Sequence, residues 1–147
     1  MDRLTRETFQ TRTEEETIAL GAALAGRFPH KVVVLLIGDL GAGKTTLAKG
    51  IAQGLGAARA EEVASPTFTL IHEFGLGPAL YHIDFYRLGS PGEVIALGFD
   101  EILDRDAVVL IEWGERFPEL LPARRVEIRI DTQADDSRKF TVTALRE

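Results

Sequence analysis

Gly38, Gly41, Gly43, Lys44 and Thr45 stand in the pattern Gly-x4-Gly-Lys-Thr, inside the stretch IGDLGAGKTT at residues 37–46. That spacing suits phosphate chemistry. Glycines let successive backbone amides curl inward onto phosphate oxygens, and a helix starting there adds unbonded amides and the positive end of its dipole. Lys44 is placed to reach the β- and γ-phosphates and the Thr45 hydroxyl to ligate Mg2+. Thr46 is expected to face the α-phosphate. Gly41, Ala42, Gly43, Lys44, Thr45 and Thr46 together form the expected cradle.

A phosphate loop of this kind works with a carboxylate at the end of a neighbouring buried strand. LYHID ends in Asp84 and VVLIE ends in Glu112. Glu112 is the expected direct or near-direct metal ligand, with Asp84 positioning water or metal-side partners. Strand capping or pairing with an arginine is the plainer reading of either acid. SPTF at residues 65–68 offers Ser65 and Thr67 as groups that sense the γ-phosphate through the metal and move on hydrolysis. His82 reads either as a proton shuttle or as a structural histidine. Trp113 packs near the nucleotide or fills an ordinary core position.

The elements that must hold these groups follow from periodicity. VVVLLI is continuously apolar, as in a strand buried on both faces, and a helix over about 44–55 follows the loop. ETFQT at 7–11 reads as a short edge strand. Thr13 is a plausible helix cap before Glu14, Glu15 and Glu16, with Ile18, Leu20, Ala22, Leu24 and Ala25 lining a helix that stops near Phe28 and Pro29. FTLIHEF (68–74) and ALYHIDF (79–85) pair across a GLGP turn. Ser90, Pro91 and Glu93 carry helix-start chemistry. AVVLIEW (107–113) is another buried strand. VEIRID (126–131) and KFTVTAL (139–145) alternate with period two, as an antiparallel hairpin does. Strands interleaved with helices predict one α/β domain, P-loop NTPase-like, with a mainly parallel sheet and antiparallel edges.

Composition narrows the function. The 147 residues are 45% hydrophobic and 27% charged, the balance of a globular domain. Without cysteine there is no disulfide, thiolate zinc site or cysteine nucleophile. No stretch has signal-peptide or membrane-span character, so a cytoplasmic location is expected. A net charge of −6 argues against tight RNA binding by this chain alone, and Arg124, Arg125 and Arg129 read as a solvated strand face. Guanine recognition normally uses an Asn/Thr-Lys-x-Asp element. The chain has no Asn, and neither Lys31 nor Lys139 precedes a suitable Asp, so ATP is expected over GTP. A P-loop kinase acting on a nucleoside or other small molecule is the alternative, with Arg87 or Arg105 recruited over the phosphates.

GDLGAGKTT, SPTFTL, HIDFYRL and IEWGER, in this order and spacing, closely resemble the bacterial TsaE (YjeE) family, over residues 13–138. The resemblance implies a slow, partner-stimulated ATPase subunit of the machinery that makes threonylcarbamoyladenosine in tRNA. It implies binding to the TsaB–TsaD heterodimer, whose transferase is reset by ATP hydrolysis, with tRNA met only through that complex. It places Thr45 and Glu112 on Mg2+, and Asp84 and Thr67 in hydrolysis or switching. It also brings an N-terminal segment and a late arginine near the adenosine; Thr11, Thr13 and Arg138 are the counterparts here.

Overall fold

The computed structural model describes residues 3–39, 41–56, 71–74 and 79–146. In chain order its elements are β1 (Arg3–Thr11), α1 (Glu14–Ala25), β2 (Val32–Ile37), α2 (Lys44–Leu55), β3 (Ile71–Phe74), β4 (Ala79–Asp84), α3 (Pro91–Ala96), α4 (Phe99–Leu103), β5 (Ala107–Glu112), β6 (Arg125–Thr132) and β7 (Arg138–Arg146). The strands form a seven-stranded sheet of order β1-β7-β6-β2-β5-β4-β3. Its centre is parallel: β6 with β2, β2 with β5, and β5 with β4. Antiparallel pairings add β3 on one side, and β7 and then β1 on the other. This is the α/β architecture expected from the sequence.

Strand alternation divides the core into two layers. Val34, Leu36, Leu80, Val108 and Leu110 face α1 and α2, packing on Leu24, Leu47 and Ile51. Val33, Leu35, Tyr81, Ile83, Val109 and Ile111 face the other way, onto Val94, Phe99 and Ile102 of α3 and α4. Even-numbered positions of β4 and β5 therefore point toward the phosphate-loop helix. His82, Asp84 and Glu112 are among them.

α1 and α2 meet nearly backbone to backbone. A Cβ on Gly50 would sit 2.1 Å from the Ile18 carbonyl oxygen, and one on Gly21 2.6 Å from that of Leu47. Hence the buried α1 positions are Thr17, Gly21, Leu24 and Ala25, whereas Ile18, Leu20 and Ala22 are only half-buried. Thr13 caps α1, accepting from the Glu16 amide at 3.0 Å. The helix stops at Ala25, earlier than the Phe28–Pro29 end read from the sequence, because Arg27 and Phe28 bond three residues back and tighten the last turn.

Other differences have local causes. β1 extends from residue 11 back to residue 3 because it pairs with β7 along its whole length. β5 ends one residue before Trp113, whose φ of 64° leaves the extended region. α4 has no side-chain cap to mark its start in the sequence; Gly98, at φ 85°, turns the chain between it and α3. Ser90 caps α3 through the Glu93 amide, as expected. Arg125 is tied to Glu127 and to the Pro122 carbonyl, while Arg124 and Arg129 are exposed. The SPTF stretch lies outside the described residues.

Candidate functional site

The loop between β2 and α2 has the backbone its glycines predict. Gly41 and Gly43 have φ of 79° and 114°, a region costly for residues with a Cβ. Gly43 occupies the cap position of α2, and no side chain caps that helix start. Its first amides are thus left for another acceptor. A Cβ on Gly41 would meet nothing within 4 Å, so the loop is open on that side.

Lys44 is the first residue of α2 and is 5% exposed. Its ammonium donates to the Gly38 carbonyl at 2.8 Å and lies 3.8 Å from the centre of the Trp113 ring. Burial lowers its pKa below the ordinary lysine value; the nearby carboxylates of Glu112, Glu115, Asp84 and Asp39 oppose that shift. Trp113 in turn packs on Tyr86, with ring centres 5.1 Å apart. Arg116 holds the carbonyls of Phe85 and Tyr86, which links the chain leaving β4 to the chain leaving β5.

The two strand-end acids are side by side. Asp84 and Glu112 are register partners across the parallel β4–β5 pair, 1% and 3% exposed. Asp84 Oδ1 accepts from the Tyr86 amide at 2.7 Å. Glu112 Oε2 lies 2.6 Å from His82 Nε2, and His82 is itself completely buried. Two buried polar atoms have no partner among the described residues: His82 Nδ1 and Glu115 Oε1.

On the other flank of the loop is a cleft of about 250 Å³ lined by Thr11, Thr13, Thr17, Thr46, Asp136 and Arg138, with Gly41 and Gly43 at its margin. The Thr11 and Thr17 hydroxyls share a hydrogen bond of 2.7 Å. Arg138, at the start of β7, donates from Nε to the Ala42 carbonyl at 2.8 Å and from Nη1 to that of Asp136 at 3.0 Å. A larger hollow of about 420 Å³ around Val33, Ala107 and Pro122 lies at the opposite ends of the strands, away from all of these groups.

Most of the sequence-predicted residues thus converge on the phosphate loop. Lys44, Asp84, Glu112 and Trp113 gather on the sheet side, Thr45 follows Lys44 on α2, and Thr11, Thr13, Thr46 and Arg138 line the cleft. Thr67 lies outside the described residues. Sequence reasoning missed the His82–Glu112 bond, Glu115, Thr17 and Asp136. Alternation along β4 would have put His82 on the face of Asp84, and Thr17 stands one helical turn beyond Thr13. Glu115 sits in a single 3-10 turn and Asp136 at a positive-φ turn, both too short to leave a periodic signal.

A divalent ion fits this donor set. Among the described residues no three His, Asp or Glu side chains gather as a metal cage. Carboxylates at the ends of β4 and β5, with a hydroxyl on the first turn of α2, are the oxygen donors that suit Mg2+, which draws its remaining ligands from water and phosphate.

A glycine loop running from the middle strand of a parallel-centred sheet into a helix, with acids at the ends of the next two strands, defines a P-loop NTPase-like domain. The family described as threonylcarbamoyl adenosine biosynthesis protein TsaE matches residues 11–140. The tRNA threonylcarbamoyladenosine biosynthesis protein TsaE of Bacillus subtilis is 44% identical over 138 residues, 93% of this chain and 85% of that protein. Its Streptomyces coelicolor counterpart is 44% identical over 136 residues, 87% and 90% of the two chains. The crystal structure of Bacillus subtilis YdiB superposes with a TM-score of 0.81 at 38% identity, covering 97% of this chain and 87% of that one. The chain belongs to the TsaE family.

Proposed function

We propose that this chain binds ATP with Mg2+ and hydrolyses it slowly, acting as a nucleotide-driven switch on the TsaB–TsaD heterodimer in tRNA threonylcarbamoyladenosine synthesis. The observation that carries the reading is Lys44, buried at the helix start and close enough to the paired carboxylates Asp84 and Glu112 to feel their charge. A buried ammonium among acids on a glycine loop is poised for a polyanion.

In this reading the loop amides and Lys44 bind the phosphates, with Lys44 exchanging the Gly38 carbonyl for phosphate oxygens. Thr45 and Glu112 hold Mg2+, which supplies charge neutralisation at the β- and γ-phosphates. Asp84 orients the attacking water. Thr67 senses the γ-phosphate, a role assigned from its place in the sequence. Thr11, Thr13 and Arg138 meet the nucleoside, and Trp113 packs beside the phosphates. Adenine is favoured over guanine because no guanine-reading element is present. tRNA is reached through TsaB–TsaD. A cytoplasmic place of work accords with this role; no helix among the described residues is long and apolar enough to cross a membrane.

The test is reconstitution with TsaB–TsaD, tRNA and ATP, following complex formation and multiple-turnover modification. The wild-type chain is expected to bind the heterodimer, and Thr45→Ala or Glu112→Ala to bring modification to background. Unchanged modification with either variant, or failure to bind the heterodimer, overturns the proposal. Phosphate appearing on a small acceptor instead of free in solution would establish the kinase alternative.

A further inference from the structure

We propose that His82 is a positioning residue for the metal-side carboxylate: its imidazole holds Glu112 by one oxygen and leaves the other for the ion. This rests on the reading of Glu112 as a Mg2+-side acid. Along β4, Leu80, His82 and Asp84 share the α2 face, and in the parallel register Asp84 lies opposite Glu112 while His82 lies opposite Leu110. The imidazole therefore sits one pleat below the carboxylate pair, further into the sheet. From there Nε2 reaches Glu112 Oε2 at 2.6 Å. An ionised carboxylate can only accept, so the imidazole must donate from Nε2. Charge-assisted bonds of this length are strong and directional.

The other ring nitrogen shows what the residue is kept for. Nδ1 is buried without a partner among the described residues, a liability that an aliphatic side chain at this core position would avoid. Packing alone does not account for a histidine here, whereas a donor beneath Glu112 does. The donor also has a competitor. Lys44 lies near enough to feel the Glu112 charge, and a Glu112 released from His82 can turn to it, forming an ion pair that occupies both the phosphate-binding cation and the metal-side acid. By committing Oε2, His82 keeps the two groups available for different partners.

The experiment is calorimetric ATP binding to the full chain, in Mg2+ and in EDTA, for wild type, His82→Leu, His82→Gln and His82→Asn. Partners that orient a metal ligand typically contribute 10–100-fold to metal affinity. His82→Leu is therefore expected to lose about tenfold or more of the Mg2+-dependent gain in ATP affinity, with metal-free binding within about twofold of wild type. His82→Gln, whose amide nitrogen reaches the Nε2 position, should recover much of the gain. His82→Asn, which reaches only the Nδ1 position, should not. Equal losses with and without Mg2+ would mean a merely structural role and overturn the proposal, as would a wild-type Mg2+ response in His82→Leu. A wild type with no Mg2+ response overturns the reading of Glu112, and the proposal with it. One measurement needs no variant: the chain has three histidines, so ring 15N shifts can identify the His82 tautomer. A proton on Nε2, before and after Mg2+ and ATP are added, is expected; a bare Nε2 overturns the proposal.

Discussion

In the proposed function, Lys44 packed on Trp113 fills the place that a phosphate would take. The ammonium rests on the indole face and on the Gly38 carbonyl, contacts that a phosphate group replaces in the proposed function. Trp113 is the chain's single tryptophan. ATP with Mg2+ should therefore change the intrinsic fluorescence, and Lys44→Met should abolish the change; a persistent response in that variant would show that the signal arises elsewhere. The same lysine makes a stability prediction. Its pKa is lowered from 10.5, chiefly by burial, so the unfolded chain takes the proton more readily and the charge opposes folding at neutral pH. Lys44→Met should raise the melting temperature of the ligand-free protein. It should also remove the stabilisation given by ATP, which at a hundredfold excess over Kd is about 2.7 kcal/mol in the wild type.

At the scale of elements, two packing features set the site. The first is the α1–α2 crossing, where Gly21, Gly50 and Gly54 allow backbone contact and so bring Thr13 and Thr17 beside the phosphate loop. Gly50→Ala would drive a Cβ into the Ile18 carbonyl, and overpacking of this kind costs about 1–3 kcal/mol. An unfolding free energy in urea lowered by that amount is expected, with weaker ATP binding because the cleft opens. The second is the β6–β7 turn that delivers Arg138. Asp135 accepts from the Ser137 hydroxyl at 2.6 Å and its amide at 3.1 Å. The Ser137 bonds, aided by Arg12, hold its carboxyl below the usual 3.8. A depressed carboxyl pKa contributes stability that is complete above the unfolded value and fades as pH falls through the folded one. The turn should loosen in acid below about pH 4, read as faster exchange of its amides. Asp135→Asn should show no such acid step.

The whole molecule joins these parts through its sheet. Parallel order among β6, β2, β5 and β4 brings the carboxyl ends of β2, β4 and β5 to one edge, where ligands of open α/β sheets gather. Charge at this scale decides partners. A net charge of −6 argues against tight tRNA binding by this chain alone. The chain should leave tRNA mobility unchanged at physiological salt when alone, and join a tRNA-containing complex only when TsaB–TsaD is present. A shift produced by this chain by itself would show that tRNA is contacted directly.

The sequence by itself determined the phosphate loop, its strand and helix, the two acidic strand ends and the parallel-centred fold. These are local facts: Gly-x4-Gly-Lys-Thr specifies its own backbone, and VVVLLI and AVVLIE can be little else but buried strands. Thr13 was likewise readable as a cap, because capping depends on the next three residues. Only the tertiary structure decided that Asp84 stands beside Glu112 and that His82 lies beneath them. Register between strands far apart in sequence is set by packing both faces at once, and no single segment encodes it. For the same reason Thr11, Thr17 and Arg138 became one cleft only when β1, α1 and the β6–β7 turn closed around the loop.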